Sequence, residues 1–98
     1  MNPSKLKKRN VCDLQTILKL PQGRRVLWQL LQAAQVRAHG FVPADALATA
    51  FHCGQRSVGL FLLDQIEEAA PGAYQQMRRE FMAEVTSLQH QSKETEND

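Results

Sequence analysis

Apolar residues recur along this chain at intervals of three and four in four stretches punctuated by proline and glycine, the pattern of amphipathic helices. The first, "DLQTILKL", sets Leu14, Ile17 and Leu18 on one face behind Asp13 as a helix cap and ends before Pro21. Pro21 fits the first turn of a second helix, and "QGRRVLWQLLQAAQV" then repeats Leu27, Leu30, Leu31 and Ala34 at helical spacing. A glycine and a proline in "RAHGFVP" make residues 37–43 a connector, with Phe41 and Val42 plugging the core beneath it. The stretch after it places Leu47, Phe51, Val58, Leu62, Ile66 and Ala69 on a long third helix, with Gly54 and Gly59 as candidate break points. After the Pro71–Gly72 turn, Tyr74, Met77, Phe81, Val85 and Leu88 mark a fourth helix.

The ends lack such a pattern. Residues 1–10 gather lysines and an arginine around a lone Leu6 and are predicted to be a disordered basic arm; residues 91–98, "QSKETEND", are predicted to be a disordered acidic tail. Between them, residues 11–90 form a single helical domain, since 98 residues support one core and not two. The fold class is therefore all-α, a small bundle of three to four helices with short connections and antiparallel neighbours. Leu, Ala, Gln, Arg and Glu outnumber β-branched and aromatic residues, which agrees.

Charge adds asymmetry. The net charge is only +2, yet residues 1–37 hold eight of the twelve basic side chains against Asp13 alone, leaving the rest of the chain net acidic. Such a dipole suits ordered association or an acidic partner at the N-terminal end. Cys12 and Cys53 follow a polar N-terminus without a signal-peptide pattern, so the expected setting is a reduced, intracellular one. No apolar run approaches the roughly 20 residues a membrane span needs.

The candidate chemistry is thin. Cys12, His39, His52 and Cys53 could supply metal ligands, but His52 and Cys53 are adjacent and diverge by about 100° on a helix. Zinc ligands commonly come in pairs two to four residues apart, so Cys53 as a small hydrophobe beside an exposed or capping His52 is the favoured reading, with no metal and no cofactor. The same divergence argues against a Cys–His dyad, and "QRSVG" lacks the glycine two residues before the serine that a nucleophile elbow uses. Gly23, Arg24 and Arg25 at a helix start could hold a phosphate, though the lysine and hydroxyl of a phosphate loop are missing. Arg24 and Arg25 fit ion pairs with a partner or with Glu67 and Glu68. Lys5, Lys7, Lys8, Arg9, Arg24, Arg25 and Arg56 are candidates for interface or polyanion contact, through weak and non-specific phosphate interactions. Trp28, Gly54, Gly59, Tyr74, Met77 and Phe81 are candidates for helix packing, with Trp28 either the core's largest filler or an interface anchor.

Two segments, "LKLPQGRRVLWQLLQAAQV" and "FHCGQRSVGLFLLDQIEEAAPGAYQQMRREF", resemble a family of small helical proteins encoded among the virion-assembly genes of short-tailed phages and prophages, typified by a Bordetella phage protein. The resemblance rests on Gly23, Arg24, Arg25, Leu27, Trp28 and Leu31, then on Gly54, Arg56, Val58, Gly59, Leu60, Leu63, Pro71, Tyr74, Met77 and Glu80, and covers residues 14–81. Gln22 and Cys53 depart from it, replacing an acidic residue before the glycine, so an acid–arginine pair at those turns is not expected. The resemblance implies a non-enzymatic protein of the phage head, connector or DNA-ejection apparatus, located in the virion and in the host cytoplasm during assembly. Its implied partners are portal, connector or internal core proteins, or a second copy of itself. The alternative, from a different class, is a small helical protein that associates with DNA without sequence preference through the basic arm and the start of the second helix. The fourth-helix stripe is longer than so small a core needs. Its distal half either covers the chain's own core or pairs with a copy of itself or a larger virion protein.

Overall fold

In a computed structural model that describes residues 2–34 and 44–96, the chain is a small all-α bundle of four helices: α1 (Pro3–Leu18), α2 (Pro21–Ala33), α3 (Ala46–Ala69) and α4 (Ala73–Glu96). The connector expected over residues 37–43, with Phe41, Val42 and His39, lies outside the described residues.

Helix α1 begins ten residues before the expected Asp13 cap, and residues 3–10 are its first turns where the sequence pattern predicts a disordered arm. The local chemistry accounts for the early start. Asn2 Oδ1 accepts the backbone N–H of Lys5 at 2.8 Å, and Pro3 occupies the first turn, where its missing N–H costs nothing. The lysines that follow are good helix formers, and Lys7 reaches Glu68 of α3 at 3.2 Å, an exposed pair of small energetic weight. At the other end, α4 continues to Glu96, so residues 91–96 extend the helix where a disordered tail is expected.

The α1–α2 corner is tight. Only Lys19 and Leu20 separate the helices, and Pro21 opens α2 as its position predicts. Gly23 lies against the end of α1: a Cβ there would overlap the Ile17 carbonyl oxygen and come within 2.7 Å of its Cγ2. Arg24 Nη1 donates to the Leu18 carbonyl at 2.8 Å, supplying a cation to a helix C-terminus with unsatisfied carbonyls. Gly23 thus makes room for the close corner between α1 and α2.

Helix α3 runs unbroken through Gly54 and Gly59, capped by Asp45, whose Oδ1 accepts the Ala48 N–H at 2.9 Å. Its hairpin with α4 uses Ala70–Pro71–Gly72–Ala73, closed by a 2.9 Å bond from the Ala73 N–H to the Ala70 carbonyl. Gly72 has φ +86°, the left-handed value that this Pro-Gly turn requires at its third position. Glu67, expected as a partner for the arginines, instead accepts the N–H groups of Gly72 and Tyr74 at 2.8 and 3.0 Å. An acid from the last turn of α3 therefore caps the start of α4, where negative charge is favoured.

The core gathers at this hairpin end. Leu18 from α1, Leu27, Trp28 and Leu31 from α2, Ile66 and Ala69 from α3, and Ala73, Tyr74 and Met77 from α4 are buried together. On α2 the buried face passes through Trp28, while Leu30, expected in the stripe, is exposed. Away from the hairpin, α3 and α4 run on past the core, and the α3 stripe divides accordingly. Ile66 and Ala69 are buried and Leu62 partly so, whereas Leu47, Phe51 and Val58 face solvent. The result is long and flat, 62 × 43 × 17 Å, with a radius of gyration of 17.4 Å. A compact domain of this length has about 13 Å.

Candidate interaction surface

Helices α2 and α4 pack through three aromatic rings. Trp28 lies 5.5 Å from Tyr74 and 5.4 Å from Phe81, centroid to centroid, both tilted, within the range in which such rings attract beyond their buried area. One end of this contact opens into a groove of about 250 Å³ bordered by Pro21, Arg24, Arg25, Trp28, Gln29, Met77, Glu80, Phe81 and Glu84. Its floor is aromatic and its rim carries two arginines and two glutamates.

Arg24 fixes the rim. Its Nε and Nη2 donate to the two carboxylate oxygens of Glu80, both at 2.9 Å, while Nη1 holds Leu18. One planar guanidinium thereby ties the end of α1, the start of α2 and the middle of α4. The hydrogen bond to Glu80 raises the Arg24 pKa above its ordinary value, desolvation opposes it, and the Glu80 charge adds to the rise. A raised pKa means the contribution is present below the unfolded value and lost only as pH climbs past the folded one, so the pair is intact throughout neutral pH. Arg24→Ala is expected to lower unfolding stability by about 1–2 kcal/mol, Glu80 being half-exposed and solvent-screened. A double-mutant cycle with Glu80→Gln, read by urea unfolding, should return a coupling of about 1 kcal/mol, and a coupling near zero would refute the bidentate geometry.

The structure separates the other candidate residues. Lys5, Lys8 and Arg9 fall at i, i+3 and i+4 on α1, so they share one exposed face, while Lys7 turns toward Glu68. Arg25 is exposed at the groove rim, and Arg56 is exposed on α3. Among the packing candidates, Trp28, Gly59, Tyr74 and Met77 are buried and Phe81 sits half-covered at the rim. Gly54 does not pack. A Cβ built on it meets nothing within 4 Å, and the helix does not break there.

Cys12 and Cys53 are exposed free thiols on different helices. Among the described residues, no three His, Cys, Asp or Glu side chains gather as a metal site requires. Among them, too, no helix is long and apolar enough to cross a membrane. Glu80 and Glu67 are the residues of structural weight that sequence reasoning missed in their roles. Glu80 lies 56 positions from Arg24, beyond any local signal, but Glu67 before a Pro-Gly turn carried a readable one.

No curated protein and no solved structure matches the chain. A family model, that of the Bbp19-like phage proteins, matches residues 14–79, about two-thirds of the chain, in accord with the resemblance carried by its glycine, arginine and tryptophan positions. The matched segment runs from the second half of α1 to Arg79 and takes in Arg24, Trp28 and Tyr74, ending one residue before Glu80, and the chain is a bacteriophage protein belonging to the Bbp19-like family.

Proposed function

We propose that this protein is a non-enzymatic component of the phage particle or of its head-assembly pathway, acting through contacts with larger virion proteins of the portal, connector or internal core. The observation that carries the reading is the mismatch between chain length and shape. The radius of gyration of 17.4 Å far exceeds the compact value, and both long helices leave the core with apolar residues uncovered, Phe51 and Phe61 on α3, Met82 and Leu88 on α4. A monomer that stayed alone would hold this surface in water, whereas a part of an assembly buries it. The groove at Trp28, Arg25 and Phe81 offers an aromatic anchor with a charged rim, the composition that recurs at interface centres.

Mass spectrometry of purified particles of the phage encoding this chain, with copy number, tests the proposal. The chain is expected at a fixed multiple per particle or per assembly intermediate, and its absence from both would overturn the reading.

A second reading, a protein that associates with DNA without sequence preference, is favoured by one feature: α1 collects Lys5, Lys8 and Arg9 on a single face. Replacing all three with Gln separates the two. A DNA-binding protein should lose duplex affinity and reduce its salt slope by about 2–3, whereas a virion component should still enter particles.

A further inference from the structure

The apolar positions that α3 leaves in water form a second pattern, distinct from the face it buries. Leu47, Phe51, Val58 and Phe61 are 85, 67, 69 and 66% exposed. With Gly54 between them they are spaced by four, three, four and three residues, the average of 3.5 that keeps a stripe facing a partner helix. The stripe lies about 110°, nearly a third of a turn, from the face carrying Gly59 and Ile66, so α3 can use both at once. Its middle is Gly54, where nothing stands within 4 Å of the place a methyl would take and a second backbone could approach closely.

Three features select the occupant. First, the stripe is symmetric about Gly54 to within one residue: Leu47 lies seven residues before it and Phe61 seven after, while Phe51 and Val58 lie three before and four after. An antiparallel copy would set each aromatic ring against an aliphatic side chain, Phe61 on Leu47 and Phe51 on Val58. Second, Arg56 is the only charged residue from Ala46 to Leu63, and it points about 160° away from Gly54. An acidic or basic partner would find nothing to pair with on this face, whereas an uncharged copy matches it. Third, four side chains of this size expose on the order of 500 Å² per copy, so a symmetric pair buries about 1,000 Å² from them alone, at the threshold for a specific interface.

We propose that the protein forms an antiparallel homodimer through the Leu47–Phe61 stripe of α3, with Gly54 on the two-fold axis. The pairing does not depend on the virion reading and holds for the isolated protein.

Sedimentation velocity of the full chain, from micromolar to near-millimolar concentration, should show a monomer giving way to a dimer. Phe51→Glu and Val58→Lys, both at exposed positions outside the core, should each keep wild-type helicity by circular dichroism and weaken dimerisation by at least about tenfold. Mixing the two variants should restore it, because the antiparallel pair then sets Glu against Lys on one side and regains Val58 against Phe51 on the other. A wild-type chain monomeric over the whole range overturns the proposal, as do variants that dimerise like wild type. Loss of dimer without rescue on mixing overturns the antiparallel register. A monomeric wild type in which Phe51→Glu nevertheless blocks entry into particles assigns the face to another protein and equally overturns it.

Discussion

Trp28→Ala is expected to cost about 3–5 kcal/mol of unfolding stability, the largest loss of any single side-chain truncation in the molecule. The reason is position as much as size. Trp28 is buried where α2 meets α4, stacked against Tyr74 and Phe81, and it forms the floor of the groove as well as the side of the core. Removing the indole strips both neighbouring rings of their shared partner and leaves a void that Leu31 and Met77, already fully buried, cannot collapse to fill. For a single domain with a core this small, such a loss is a large fraction of the total stability. Trp28→Phe provides the control. The indole Nε1 is buried without a hydrogen-bond partner, so a phenyl ring gives up volume but no hydrogen bond, and the expected cost falls to about 1–2 kcal/mol. Trp28 is the only tryptophan, so fluorescence disappears with it and unfolding must be followed by far-ultraviolet circular dichroism in urea, at one fixed protein concentration. An alanine variant within about 1 kcal/mol of wild type would mean that the α2–α4 contact is not packed as described.

Helix existence was readable because Pro21, Pro71 and Gly72 punctuate the apolar periodicity at the places where the chain turns. Met77 was readable as core for the same reason. What periodicity cannot tell is whether anything covers a face. Leu47, Phe51 and Val58 keep helical spacing with Ile66 and Ala69, yet only the residues toward the hairpin end of that helix meet the rest of the core. On α2, spacing alone could not choose between Leu30 and Trp28, and the choice fell to the ring that Tyr74 and Phe81 can pack against. Helix ends were lost where no apolar stripe marks them. Asn2 and Pro3 form a start signal that a polar sequence conceals, and α4 continues to Glu96 through "QSKETE", a sequence that has no apolar stripe. The rim of the groove was half legible. Arg24 and Arg25 pointed to ion pairing, but the acid that completes the clamp comes from another helix far along the chain.

The glycines divide by what their missing side chains leave room for, and two substitutions with the same chemistry should therefore differ in sign. In an exposed helix interior, Gly→Ala stabilises by about 0.5–1 kcal/mol because alanine loses less backbone entropy on folding. Gly54→Ala should follow that rule in the dilute monomer, since the new methyl meets only open space. Gly23→Ala should reverse it. There the methyl would overlap the Ile17 carbonyl oxygen and stand 2.9 Å from its carbonyl carbon, atoms of the main chain that no rotamer change can move aside. Relief requires opening the two-residue corner between α1 and α2, which pulls the Leu18 carbonyl away from Arg24 and loosens the Arg24–Glu80 clamp in turn. The overpacking penalty should exceed the propensity gain and leave a net loss of about 1–3 kcal/mol. Urea unfolding of both variants beside wild type decides the matter. A Gly23→Ala protein as stable as Gly54→Ala would mean that α1 does not press against the start of α2, and the corner that positions Arg24 would have to be redrawn.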